Sequence, residues 1–105
     1  MSEAEQEQQP PIISTPIFIA IDGSLPGGKW LTYPLLVQIE NDDGEVVVSE
    51  PQFHIHAAAS TVPEAITAFK RILTGELELL SSHEAKLGPL LLAQLDYLRT
   101  IIGTA

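Results

Sequence analysis

The sequence predicts an α+β domain, with one long helix packed on a face of an antiparallel sheet of three to four strands and a second helix at the C-terminus. Three observations predict it. Apolar, largely β-branched residues alternate at period two through the first half of the chain. A helix-start signal then opens a stripe of apolar residues spaced three and four apart. All the strands precede both helices.

Residues 1–11 read as a disordered Glu/Gln tail ending in Pro10-Pro11, and residues 12–105 as one domain. Ile17, Ile19 and Ile21 alternate with Phe18 and Ala20 in a first strand that is apolar on both faces. Gly23, Pro26, Gly27 and Gly28 then break the pattern, and the segment reads as a flexible connector. A second strand covers residues 33–40, with Leu35, Val37 and Ile39 on one face and Leu36, Gln38 and Glu40 on the other. Asn41-Asp42-Asp43-Gly44 supplies a hairpin turn, because Asp-Gly tolerates the positive φ that tight hairpins need. Val46-Val47-Val48 returns, Glu50-Pro51-Gln52 interrupts, and residues 53–57 are expected to form the next strand.

Thr61-Val62-Pro63-Glu64 is a capping box, in which Thr61 and Glu64 each satisfy a backbone N–H of the other. The helix it opens carries Ile66, Phe69, Leu73, Leu77 and Leu80 on one face, and Gly75 marks an expected kink or early end. Residues 81–84 read as a loop. The last helix starts near Gly88-Pro89, is expected to bury Leu91, Leu95, Leu98 and Ile102 with Leu92 and Ile101 widening the stripe, and is expected to stop at Gly103.

Composition excludes several functions. The 105 residues hold 5 Lys+Arg against 14 Asp+Glu, a formal charge of −9, so clustered cations for phosphate are lacking and direct nucleic-acid binding is not expected. The same charge attracts and steers a basic partner. No cysteine is present, which removes disulfides, thiol nucleophiles and thiolate zinc sites. No apolar run is long enough to span a bilayer and the N-terminus is acidic, so a cytoplasmic location without membrane contact is expected.

Two constellations invite chemistry. His54 and His56 lie two apart on an expected strand and share a face, where Glu50 or His83 would complete a zinc or copper site. Their alternation with Phe53 and Ile55 also makes them the polar side of a half-buried strand, so no metal ligand is assigned. Glu40, Asp42, Asp43, Glu45 and Glu50 crowd the hairpin. They lack calcium-loop spacing, and the apolar strand faces beside them leave no converging carboxylates for two-metal catalysis. Gly27-Gly28-Lys29 lacks the phosphate-loop spacing, and no serine sits in a nucleophile elbow. The expectation is a non-enzyme with no catalytic residue and no cofactor.

The order of these pieces from Tyr33 to Leu80 resembles the HicB-like family of antitoxin-type proteins. The carriers are the strand after Tyr33-Pro34, the Asp42-Asp43-Gly44 hairpin, Val46-Val47-Val48-Ser49, the Glu50-Pro51 element and the Thr61-x-x-Glu64-Ala65 helix start. Residues 87–102 look like the C-terminal helix of short members. The resemblance implies a truncated RNase H-like β-β-β-α unit that binds and masks a small basic, RNA-cleaving toxin. The sequence departs from the family in having Ala59 for a glycine, in the added strand 17–21 with its Gly-rich loop, and in lacking a basic DNA-reading segment. Glu40, Asp42, Asp43, His54 and His56 are the candidate partner-binding residues. Exposed sheet edges make a homodimer the expected state. The alternatives are a self-associating structural domain without a toxin and a histidine-based metal binder.

Overall fold

The computed structural model describes residues 16–105, so the tail assigned to residues 1–11 lies outside the described residues. The chain is α+β, with strands β1 (Ile17–Ile21), β2 (Ser24–Leu25), β3 (Lys29–Leu31), β4 (Leu35–Asp42), β5 (Glu45–Ser49) and β6 (His56–Ala59). Helices α1 (Val62–Ser82) and α2 (Pro89–Ile101) follow, and β7 (Ile102–Gly103) closes the chain.

The main sheet is antiparallel in the order β1-β4-β5-β6. Its register places Ile19 opposite Val37, Ile39 opposite Val48, and Val48 opposite Ala57, so the odd-numbered apolar residues of β1 and β4 share one face. That face is the core. Val37 and Val48 are fully buried, α1 lies across β5 and β6, and the helix turns Ala65, Phe69, Leu73, Leu77 and Leu80 inward. Burying each large side chain contributes about 1.5–3 kcal/mol. Residues of both sheets and both helices form a single hydrophobic cluster.

α1 begins where the Thr61-x-x-Glu64 spacing places it. Glu64 donates its backbone N–H to Thr61 Oγ1 at 3.3 Å, and the Thr61 hydroxyl donates to Glu64 Oε1 at 3.1 Å. The carboxylate thus meets the threonine hydroxyl rather than the Thr61 backbone N–H. The helix then passes straight through Gly75 to Ser82. No kink or early end occurs, because buried Leu73, Thr74 and Leu77 on either side outweigh a propensity cost of about 1 kcal/mol. The expected 81–84 loop shifts accordingly, and a 3-10 turn, Glu84–Lys86, leads toward α2. Arg99 of α2 donates twice to Glu84, at 2.9 and 3.1 Å, and holds its carboxyl below the usual range.

The stretch read as a flexible connector is instead structured. β2, a 3-10 turn (Pro26–Gly28) and β3 fold back on each other, with Gly27 and Gly28 at φ 76° and 74°. β3 then pairs with β7 to give a second, three-stranded sheet. Two further hydrogen bonds fasten this strap to the end of α2. Thr32 N–H donates to Ile101 O at 2.9 Å, and the Thr32 hydroxyl donates to Thr100 O at 2.8 Å. α2 packs on α1 within the same chain, burying Leu95, Leu98 and Ile101 completely. It ends at Ile101 rather than at Gly103, since Ile102 and Gly103 are taken up by β7.

Gly103 is needed where it stands. It faces Trp30 across the β3–β7 pair, and a Cβ there would come within 2.3 Å of the indole Nε1. Gly103→Ala is expected to cost about 1–3 kcal/mol through overpacking. Denaturant titration checks this, and adding Trp30→Ala should cancel most of the loss, since the three atoms nearest that Cβ all belong to the Trp30 indole.

Candidate functional site

The sheet register also defines the face turned away from α1. Phe18 and Ala20 of β1, Leu36, Gln38 and Glu40 of β4, Val47 and Ser49 of β5, and His56 and Ala58 of β6 project there. No described element covers it, and Phe18 and Leu36 remain 52 % and 54 % exposed. Not one lysine or arginine stands on this face. All five cations of the chain, Lys29, Lys70, Arg71, Lys86 and Arg99, belong to the strap, the helices or the loop between them.

One end of the face is acidic. β4 and β5 run to Asp42 and Glu45, so the turn proper is Asp43-Gly44, both at positive φ (54° and 85°) as a type I′ hairpin requires. The last ladder pair sets Asp42 directly opposite Glu45, a like-charge arrangement that destabilises a hairpin. Glu40 lies on the same face one pair inward, opposite Val47. Glu40, Asp42 and Asp43 therefore form one acidic surface at the tip of the sheet, contiguous with its bare apolar face.

The histidines do not share a strand. β6 begins at His56, and residues 51–53 form a turn that leaves His54 outside the sheet at φ 63°. His56 projects from the outer face opposite Ser49, and its Nδ1 lies 3.0 Å from the His54 backbone oxygen. β5 separates this turn from the acidic hairpin, about 17 Å at the usual strand rise. The five candidate residues thus fall into two groups at opposite ends of β5. Among the described residues no group of three His, Cys, Asp or Glu side chains is placed to hold a metal ion. His83, a suggested third ligand, sits after α1 with its Nδ1 3.0 Å from Ser82 Oγ.

Glu50, the other suggested third ligand, has a different task. It is fully buried and its carboxyl accepts from the backbone N–H groups of Gln52 (3.0 Å), Phe53 and Ile55 (3.3 Å). The Tyr97 hydroxyl of α2 donates to it at 3.2 Å, and the Tyr97 and Phe53 rings meet with centroids 5.1 Å apart. Glu50 N–H donates to Ile55 O and His54 N–H to Glu50 O, which closes the turn. This one side chain shapes the β5–β6 connection and ties it to α2. Burial, followed by the neighbouring Glu50 charge and hydrogen bond, pushes the Tyr97 phenol above its ordinary range. In the sequence Glu50-Pro51 reads only as an interruption between strands. The usable signal was an acidic residue just before a proline, followed by a run whose N–H groups have no strand partner.

Glu50→Ala is expected to lose about 3 kcal/mol or more, since three backbone N–H groups, that of Ile55 buried, lose their acceptor, whereas Tyr97→Phe costs about 1 kcal/mol. Urea unfolding separates the two. The pH dependence has a definite sign. The folded phenol ionises above the unfolded value of 10.0, so its contribution is intact below pH 10 and declines as pH rises further. Tyr97→Phe should therefore flatten the alkaline part of the stability profile.

No protein-family model, curated protein or solved structure shows a significant match to this chain.

Proposed function

We propose that this chain is a protein-interaction module of the HicB-like antitoxin kind, which binds and masks a small basic protein. One observation carries the reading. Among the described residues nothing covers the outward sheet face, which holds no cation and passes from exposed Phe18, Ala20 and Leu36 to the carboxylates Glu40, Asp42 and Glu45. An apolar centre gives area for contact and the acidic rim gives attraction and orientation. A basic, RNA-cleaving toxin is the partner that the family resemblance supplies. In this reading Asp43 joins the rim and His56 contacts the partner at the far end of the face, while His54 lies at its margin. The protein acts in the cytoplasm, forms a homodimer, and has no catalytic role, cofactor or direct contact with nucleic acid.

The test starts with the tagged full chain and a small basic protein that co-purifies in stoichiometric amount. The freed protein should degrade RNA and lose that activity when the chain is added back. An isolate indifferent to the chain sinks the proposal. The acidic rim is checked by stopped-flow association of the Glu40→Lys/Asp42→Lys/Asp43→Lys triple variant. At low salt the association rate should fall roughly tenfold or more, and the difference should shrink as ionic strength rises. An unchanged rate removes the electrostatic part of the reading.

A further inference from the structure

We infer that two copies of this chain pair antiparallel through the solvent face of α1, about a two-fold axis close to Gly75. The inference rests on the homodimer proposed above and assigns its surface. α1 covers the sheet with one side, and on the other Ile72 and Leu79 stand 39 % and 54 % exposed, seven residues apart. Small residues repeat at the same interval on the neighbouring row, at Ala68, Gly75 and Ser82. Large and small rows offset in this way are the two halves of a knobs-into-holes seam. In an antiparallel pair, Ile72 of each copy rests over Gly75 of the other, and Leu79 over Ala68.

The surface is already shaped for this. An open groove of about 510 Å³ lies beside Ala68 where α1 meets the sheet, walled by Glu45 and Ser60 on the sheet side and by Pro63, Glu64, Thr67 and Arg71 along α1, and Leu79 of the second copy would sit there. No described residue of the chain packs against Gly75. A Cβ there would meet nothing within 4 Å, yet glycine costs the helix about 1 kcal/mol relative to alanine. Seating Ile72 of the second copy explains it.

Charge specifies the orientation. The antiparallel register sets Arg71 of each copy beside Glu78 of the other, twice over by symmetry. Arg71 forms no ion pair with any described residue of its own chain. Glu78, although 3.5 Å from Lys29, keeps its side chain 68 % exposed. A parallel pair would instead juxtapose Arg71 with Arg71 and Glu78 with Glu78. The proposed seam meets the acidic rim only at Glu45, so a dimer leaves Phe18, Leu36 and Glu40 of both copies open.

Sedimentation equilibrium of the full chain over a concentration series tests this. The wild type should dimerise. Arg71→Glu and Glu78→Arg should each weaken the dimer about tenfold or more, and the double reversal should restore it to within about threefold. Leu79→Ser should also weaken it. Gly75→Gln should raise the Tm of the dilute, monomeric chain while reducing dimerisation, a split that a purely local helix effect does not produce. These positions are exposed and α1 keeps its core face, so circular dichroism should be unchanged. A wild-type dimer indifferent to the charge and Leu79 variants overturns the α1 assignment and leaves self-association standing. A monomer throughout the range overturns both.

Discussion

Among the described residues the four-stranded sheet is covered by helix on only one side, and the rest of the molecule follows from that. Phe69 and Leu73 on α1 and Val37 and Val48 on the sheet reach complete burial, so the inner layer is closed to solvent. A sheet sealed on one face alternates apolar and polar residues along its strands. Here the other face keeps the polar half of that pattern at Gln38, Glu40, Ser49 and His56 and breaks it at Phe18 and Leu36. Those two exposed side chains do nothing for the core. They make chemical sense as contact area.

A second constraint holds the layers in place. Buried carboxyls are costly unless fully hydrogen-bonded, and Glu50 meets the condition with three backbone N–H groups and one phenol. The donors come from the β5–β6 turn and from α2, so one acceptor joins segments 47 residues apart in sequence. The strap does the same work about one turn further on, at the C-terminal end of α2, through backbone pairing of β3 with β7. α2 is therefore anchored at two points besides its apolar stripe.

The two surfaces proposed for contact differ in charge and in layer. The apolar sheet face with its acidic hairpin belongs to the sheet layer, and Arg71 and Glu78 belong to α1. The difference bears on the proposed dimer of a chain of formal charge −9, because two like-charged copies would meet best where their own charges alternate in sign. Glu64, Arg71 and Glu78 along α1 provide that alternation, whereas the hairpin does not.

By itself the sequence determined the α+β class, the Asp43-Gly44 turn, the start of α1 at Thr61 and the inward residues of β4, β5 and α1. Each follows from local periodicity, a cap or a turn that acts within a few residues. The acidic tip was legible for the same reason, since its carboxylates are neighbours in the chain. Tertiary structure alone decided that residues 22–31 form a strap, that β7 pairs with β3, and that Glu50 is a buried acceptor for Tyr97. It also moved His54 off the strand and carried α1 through Gly75. In each case the deciding partner lies far away in sequence, and backbone pairing, burial and desolvation outweigh the preferences that a short window records.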